Sequence, residues 1–567
     1  MGHKKGIIIG TVISLMMILA AAIAIFIFFF LPSNKVMDLG EYYNVKNDEV
    51  VVLLQNKQFE HRGLFKDGKV YLDYETVKGQ LNKRFYWDDN EKLLSYTTPT
   101  EVIRIALNQN SYTVNGKDQK TDYTIAMLQN EQVYVAIEFV KQYSNMEYQI
   151  YNQPNRIVIQ NDFENEYLYA DVTSDTQVRS DASIKSDVLG EVLVGENLIF
   201  VDTEEETSDK FTKVMTSKGV IGYVKNSAIT DGYFKTLEST FKEPEYTNIT
   251  SSETINLVWH QVTNQDANNG LTTLLQNTKG VNVVSPTWFS VTSETGEIRS
   301  LASSDYVKRA HALGLQVWGL VDDFETSVDK ANLLSSTTNR SNLIHNLMSQ
   351  AKKYKLDGIN IDFERVPSAA GEDFIQFIRE LSVQCRKNKI VLSIDNYVPA
   401  AYNAYYDREE QGIVADYVII MAYDEHYAGS EESGSVSSIS YVTDAVNNTI
   451  QQVNKDKVIM ALPFYTRLWK EVSNGESVEI SSEAYSMKNG IALMEQKGVK
   501  LTWLDNIGQH YGEYESDGVT YRMWLEDVKS YELKIQAVME QEVAGVANWK
   551  LGLEIKDIWD VITKYVK

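Results

Sequence analysis

The chain has little with which to cross-link itself or to bind a metal. Its 567 residues include one cysteine, Cys385, so no internal disulfide can form. The seven histidines are scattered, and neither they nor the cysteine follow a zinc-ligand spacing. Basic charge is also short: 54 Lys and Arg stand against 78 Asp and Glu, a net charge of −24. A phosphate backbone needs basic surface, so this balance excludes nucleic acid as the expected partner. It argues equally against holding an anionic polymer by bulk electrostatics, and beyond that it speaks only to solubility. Cysteine usage leaves the compartment undecided.

What the chain does have is apolar and aromatic material. Some 43% of its residues are hydrophobic, with 34 Tyr and 9 Trp, enough to build real cores. Its length predicts roughly three or four domains. One uncharged run, residues 6–31, reads GIIIGTVISLMMILAAAIAIFIFFFL. At about 1.5 Å per residue it can cross a roughly 30 Å hydrocarbon core. It is longer than a signal-peptide core and ends in FIFFFLP, a poor cleavage site, so an uncleaved anchor is expected. Lys4 and Lys5 precede it, which predicts residues 1–5 in the cytoplasm and everything after Pro32 outside a cell membrane crossed once.

Residues 40–165 contain a weak repeat. VYLDYETVK (70–78) returns as VYVAIEFVK (133–141), and each copy is followed by an alternating aromatic stretch, FYWDDNEKLLSY and YQIYNQPNRIVIQ. A strand, a helix and a hairpin used twice give an α+β repeat domain. The pattern resembles the repeat domain named after the N-terminal region of copper amine oxidases, although no copper ligands are present. Residues 166–232 read as short strands: Val178, Leu189, Val192, Leu198 and Val214 alternate with polar positions, and glycines mark the turns. The segments QVRSDASIKSDVLGEV and GVIGYV make this small all-β barrel similar to a bacterial SH3 domain. That likeness implies cell-wall peptides as a partner, with a plain spacer as the alternative.

A polar, proline-containing linker, 243–256, leads into residues 250–567, where apolar runs alternate with helical periods. The runs are 255–259, 281–286, 315–321, 358–364, 389–395, 417–423, 457–464 and 545–549. Eight such runs in about 310 residues predict a (β/α)8 TIM barrel of the α/β class, with an insertion near 465–530. In the fourth run, LDGINIDFERV, Asn360, Asp362 and Glu364 occupy alternate positions, so they share one face of a strand while Ile361 and Phe363 take the other. Carboxylates turned inward are costly unless something uses or pairs them. Catalytic groups of such barrels sit at strand C-termini. Scanning those ends gathers Asp362, Glu364, Tyr423, Asp424, Trp549, Trp288 and Tyr465, a set of carboxylates and aromatics suited to a sugar and to glycosidic acid–base chemistry.

LDGINIDFE resembles the DGxxxDxE strand-four signature of glycoside hydrolase family 18, the chitinase and endo-β-N-acetylglucosaminidase family. MAYD (421–424) and GVANWKLG (545–552) match its strand-six and strand-eight motifs. Combined with the SH3-like segment, the chain looks like the branch associated with spore germination and wall hydrolysis. The resemblance implies a retaining reaction in which the substrate's acetamido oxygen is the nucleophile. Glu364 would be the acid and later the base, Asp362 would hold the acetamido N–H, and Tyr423 would donate to its carbonyl. Asp424 would contact sugar, with Trp549 as the floor under the ring; Trp288 and Tyr465 are expected sugar contacts from their strand-end positions alone. Two neighbouring carboxylates also suit an acid that must stay protonated near neutrality. Asn360 departs from the DxxDxDxE pattern of chitinases, in which an Asp at this place shares a proton with the counterpart of Asp362. Asn360 can still hydrogen-bond near the substrate, but it cannot take up a charge.

Several residues have blander readings. Asp357 is expected to position the turn before the strand, and His426 to bond within its loop. Trp288 and Trp318 fit packing as well as stacking. Trp503, Tyr511 and Trp524 fit either a groove wall or the core of the insertion. The expected substrate is peptidoglycan, including spore cortex, with chitin second. No metal or organic cofactor is implied, because the acid and the substrate's acetamide supply the chemistry. The rival from another class is a glycan-binding or wall scaffold protein that keeps the groove without cleaving.

Overall fold

The computed structural model describes residues 2–46, 48–201, 209–473, 475 and 477–566. Met1 and the side chains of Lys4 and Lys5, on which the expected orientation of the span rests, lie outside them. The chain divides into two compact units, residues 1–87, 105–112 and 118–243, and residues 88–104, 113–117 and 244–567.

The first unit begins with one helix, Gly2–Phe30. Its stretch Ile8–Phe30 has a mean hydropathy of 2.9 and none of it is buried, so by length and composition it can cross a membrane. The repeat follows. Strand Lys69–Asp73 leads into the turn of helix Tyr74–Thr76, and strand Gln132–Ala136 leads into helix Ile137–Tyr143. These two strands pair antiparallel, Tyr134 opposite Asp73 and Ala136 opposite Tyr71, so the two copies are joined edge to edge. The hairpin Glu147–Tyr151 and Arg156–Gln160 closes the second copy. The described residues of 167–201 and 209–235 then form a separate antiparallel sheet of seven strands. Its core contains Val178, Leu189, Val192, Leu198 and Val214, the alternating apolar positions seen in the sequence.

The second unit is a closed barrel. Its strands are β1 (Ile255–His260), β2 (Val283–Val291), β3 (Gln316–Asp322), β4 (Gly358–Asp362), β5 (Val391–Tyr397), β6 (Tyr417–Met421), β7 (Val458–Pro463) and β8 (Gly545–Trp549). All neighbours are parallel, and β1 pairs with both β2 and β8, which closes the ring. Alternation divides the side chains. Leu257, Val283, Trp318, Leu320, Tyr417, Ile419 and Ile459 fill the inside. Ile359, Ile361 and Phe363 face outward into the layer between strands and helices, where Phe363 stacks on Phe377 of helix Gly371–Asn388 at 5.7 Å. Gly358 has a steric reason: a Cβ there would come within 2.6 Å of the Trp318 indole.

The insertion after β7 is a five-stranded antiparallel sheet spanning Tyr465–Ser473 to Val519–Leu525, with helix Met487–Gln496 against it. Tyr511 and Trp524 pack on each other within it, ring centres 5.0 Å apart. Two readings of single residues also agree with the structure. Asp357 accepts from the Val317 N–H at 2.8 Å, and His426 bonds the Ser435 carbonyl within its loop.

Phe377 is fully buried, and its ring lies outside the cleft in the layer between strands and helices. Phe377→Ala is expected to cost the barrel about 3–5 kcal/mol through lost burial and the cavity left behind. Denaturant melts of the full chain in detergent measure this as an earlier barrel transition.

Candidate active site

β4 carries the centre of the site in two tiers. The lower tier is Asn360, fully buried. Its Oδ1 accepts from Trp259 Nε1 at 2.9 Å and from Ser285 Oγ at 3.0 Å. An indole N–H can only donate, which orients the amide, so Nδ2 must face β5, where it donates to Asp395 Oδ1 at 2.8 Å. One amide thus ties β1, β2 and β5 to β4.

The upper tier is Asp362, 6% exposed, whose Oδ1 is buried and has no hydrogen-bond partner among the described residues. An oxygen left in this state costs free energy until a donor arrives. Burial raises the proton affinity of Asp362 well above the ordinary carboxylate range, and the charges of Asp395, Glu364 and Asp323 add to it. Glu364 lies two residues past the end of β4, so the ladder does not hold it. Asp323, fully buried just after β3, does so instead: its carboxylate accepts the N–H groups of Glu364 at 3.0 Å and Arg365 at 2.9 Å. Burial pushes Asp323 up to about 6. The proton affinity of Glu364 is also raised, chiefly by burial, and Asp323 and Asp424 add to this. Tyr397, at the end of β5, opposes the shift by donating to Glu364 Oε2 at 2.5 Å.

Asp362 and Glu364 open into a cleft of about 610 Å³ with Tyr423, Asp424 and Trp549. Trp549 leans edge-on against Trp259 at 5.9 Å. Asp424 sits at φ 58°, a left-handed conformation that short polar side chains tolerate best. Phe324, Tyr402 and Tyr427, exposed by 41%, 77% and 55%, line the same cleft and offer flat faces to solvent. Together the walls supply a proton donor, a second carboxyl with a free oxygen, a phenol and aromatic platforms.

Three expected substrate contacts are corrected. Trp288 points away from the cleft: β2 turns its ring into the helix layer, where it packs on Tyr306 at 4.9 Å and donates to Asn268. Asn360 lies one pleat below Asp362 and supports the site from beneath. Tyr465 is buried and donates to Asp424 Oδ1 at 2.5 Å, so it holds that carboxylate and leaves the cleft wall to others. Trp318 packs inside the barrel against Tyr417. The residues that sequence reasoning missed are Asp323, Asp395 and Tyr397. A signal existed for the last two: in SIDNY they alternate at a strand end, as Asp362 and Glu364 do.

The chain is similar to several known proteins. Residues 326–554 match the family described as Glycosyl hydrolases family 18, and residues 51–159 match the Copper amine oxidase N-terminal domain. The chain is 31% identical over 228 residues to YdhD of Bacillus subtilis (strain 168), which carries the name of a sporulation-specific glycosylase; the match covers 39% of this chain and 53% of that protein. It is 24% identical over 283 residues to the Cortical fragment-lytic enzyme of Bacillus anthracis, covering 48% of this chain and 63% of that one. It therefore spans only about half to two thirds of the length of these curated relatives. The crystal structure of the Bacillus cereus spore cortex-lytic enzyme SleL superposes with a TM-score of 0.50 and 19% identity, over 58% of this chain and 79% of that one, and shares the fold.

Tyr397 stabilises the ionised form of Glu364. In Tyr397→Phe the carboxylate loses that donor, its proton is held more tightly, and an acid acting through Glu364 stays protonated to higher pH. The alkaline limb of the pH–rate profile on a chitooligosaccharide is expected to move upward. An unmoved or lowered limb contradicts the geometry.

Proposed function

From the match of residues 326–554 to glycosyl hydrolase family 18, we propose that the chain cleaves β-1,4 bonds of N-acetylglucosamine-containing glycan by substrate-assisted, retaining catalysis. The observation that carries this reading is the buried, partnerless Oδ1 of Asp362 beside Glu364, whose environment favours the protonated form. Glu364 gives its proton to the leaving glycosidic oxygen as the acetamido oxygen bonds to the anomeric carbon. Asp362 accepts the acetamido N–H and faces the positive charge that develops on the oxazolinium ring. Tyr423, uncharged because burial holds its proton firmly, donates to the acetamido carbonyl. Water then attacks, Glu364 takes its proton, and the anomeric configuration is retained. Trp549 forms the floor under the ring, and Asp424, steadied by Tyr465, contacts the sugar. The exposed faces of Tyr402, Tyr427 and Phe324 extend the platform along the chain of sugars.

Peptidoglycan, including spore cortex, is the substrate we favour, because relatives bear the names of cortical enzymes and because the apolar N-terminal helix would keep the barrel beside the wall. In this reading residues 6–31 anchor the protein in the cell membrane, with the N-terminus inside and both units outside. The sheet of residues 167–235 acts as an SH3-like module that binds wall peptides.

The test compares the full chain with its Glu364→Gln variant on purified peptidoglycan and on chitin oligosaccharides, with mass spectrometry of the released fragments. New N-acetylglucosamine reducing ends are expected, with the rate at least about 100-fold lower in the variant. Release from chitin alone moves the substrate assignment. Sedimentation with glycan but no release by either protein favours a glycan-binding protein.

A further inference from the structure

The buried Asn360 raises a problem that β5 answers. A single carboxyl in the position of Asp362 must be ionised to hold a cationic intermediate, yet its surroundings oppose that charge. Burial, Glu364, and Asp322 and Asp323 at the end of β3 all favour its protonated form. From β6 the cleft presents Tyr423, which is uncharged. A neighbour able to take over the proton would resolve this, and Asn360 cannot do so.

Asp395 can. The register pairs Asn360 with Ser393 and Ile361 with Ile394, and the next residue along each strand is Asp362 on β4 and Asp395 on β5, whose charge acts on Asp362. Level residues on neighbouring parallel strands face the same way, about 4.8 Å apart. Asp395 is itself 3% exposed and lines the same cleft. Its Oδ1 is taken up by the Asn360 amide, which must donate there, so a proton on Asp395 belongs on Oδ2.

We propose that Asp362 and Asp395 share one proton across β4 and β5, and that Asp395 is the positioning residue that receives it when Asp362 ionises during the reaction. This rests on the glycosidase reading above. In the resting site the pair carries one proton and one negative charge. As the acetamido oxygen attacks and the proton of Glu364 leaves with the departing sugar, the shared proton settles on Asp395, and Asp362 carries the full charge beside the oxazolinium ring. After water has attacked and returned a proton to Glu364, the pair shares again. No proton is gained or lost by the pair in the cycle.

Asp395→Asn keeps an oxygen for the Asn360 amide but removes the proton acceptor. Its kcat on a chitooligosaccharide is expected to fall about 100-fold with KM within about threefold. The acid limb of its pH profile should move to higher pH, because a carboxyl that shares a proton ionises first at lower pH than one left alone. Asp395→Glu keeps a carboxyl and should keep the limb. The exchange Asn360→Asp with Asp395→Asn moves the carboxyl to β4, and its rate is expected within about tenfold of wild type. A purely structural Asp395 predicts instead that Asp395→Asn keeps rate and profile. That result, or a folded exchange protein no faster than Asp395→Asn, overturns the proposal. If Asp395→Asn does not fold, the exchange protein alone judges it, supporting it within about tenfold of wild type and overturning it below that. A wild type that cleaves nothing overturns the glycosidase reading and this inference together, whereas an active wild type with an unaffected Asp395→Asn overturns only the inference.

Discussion

Four carboxyl groups, those of Asp323, Asp362, Glu364 and Asp395, crowd one end of one barrel, and in each of them burial is the largest influence disfavouring the charge. Neighbouring charges strengthen the effect. Such a cluster is stable near neutrality only if protons are held within it and every fixed oxygen has a donor. The local structure follows that rule. Asp323 is met by two backbone N–H groups, Asp395 by an amide, Glu364 by a phenol. The exception is Asp362 Oδ1, and the exception is where a ligand's N–H is expected.

The scaffold exists to hold this cluster in register. A parallel barrel places every strand end at the same mouth, so residues from β3, β4, β5, β6 and β8 meet although nearly 230 residues separate Asp322 from Trp549. The packing layer between strands and helices, with Phe363 on Phe377, keeps β4 from rotating its polar face away. Asn360 completes the hold from below by joining three other strands through one side chain. The unit N-terminal to the barrel contributes an apolar helix and two small sheet domains, and in our reading its task is location and not chemistry.

Much of this was legible in the sequence because period-two alternation is a local signal. INIDFE declares which residues share a face, and GVANW and MAYD mark strand ends without reference to anything distant. The repeat in residues 70–78 and 133–141 was readable for the same reason, and the two copies pair with each other. Trp288 misled because a strand end was taken as a cleft wall, whereas the irregular register of β2 against β3 near Thr287 and Phe289 turns its ring outward. Tyr465 and Asn360 misled differently: both belong to the site but serve its other members. Asp323 was hidden because its role is to bind backbone N–H groups just past the end of the neighbouring strand, a long-range partnership that leaves no pattern in one sequence. Asp395 and Tyr397 carried the same alternation as Asp362 and Glu364, and their meaning depends on which strand lies next to β4.

The most direct measurement of the central claim is the configuration of the first product. Proton NMR of an N-acetylglucosamine tetramer mixed with the full chain, followed from the first minutes, resolves the anomeric signals before they equilibrate. The account predicts the β-anomer first, and no cleavage of the corresponding oligosaccharide without acetyl groups, since the acetamide is the nucleophile. The α-anomer first, or equal cleavage of the deacetylated substrate, would contradict it.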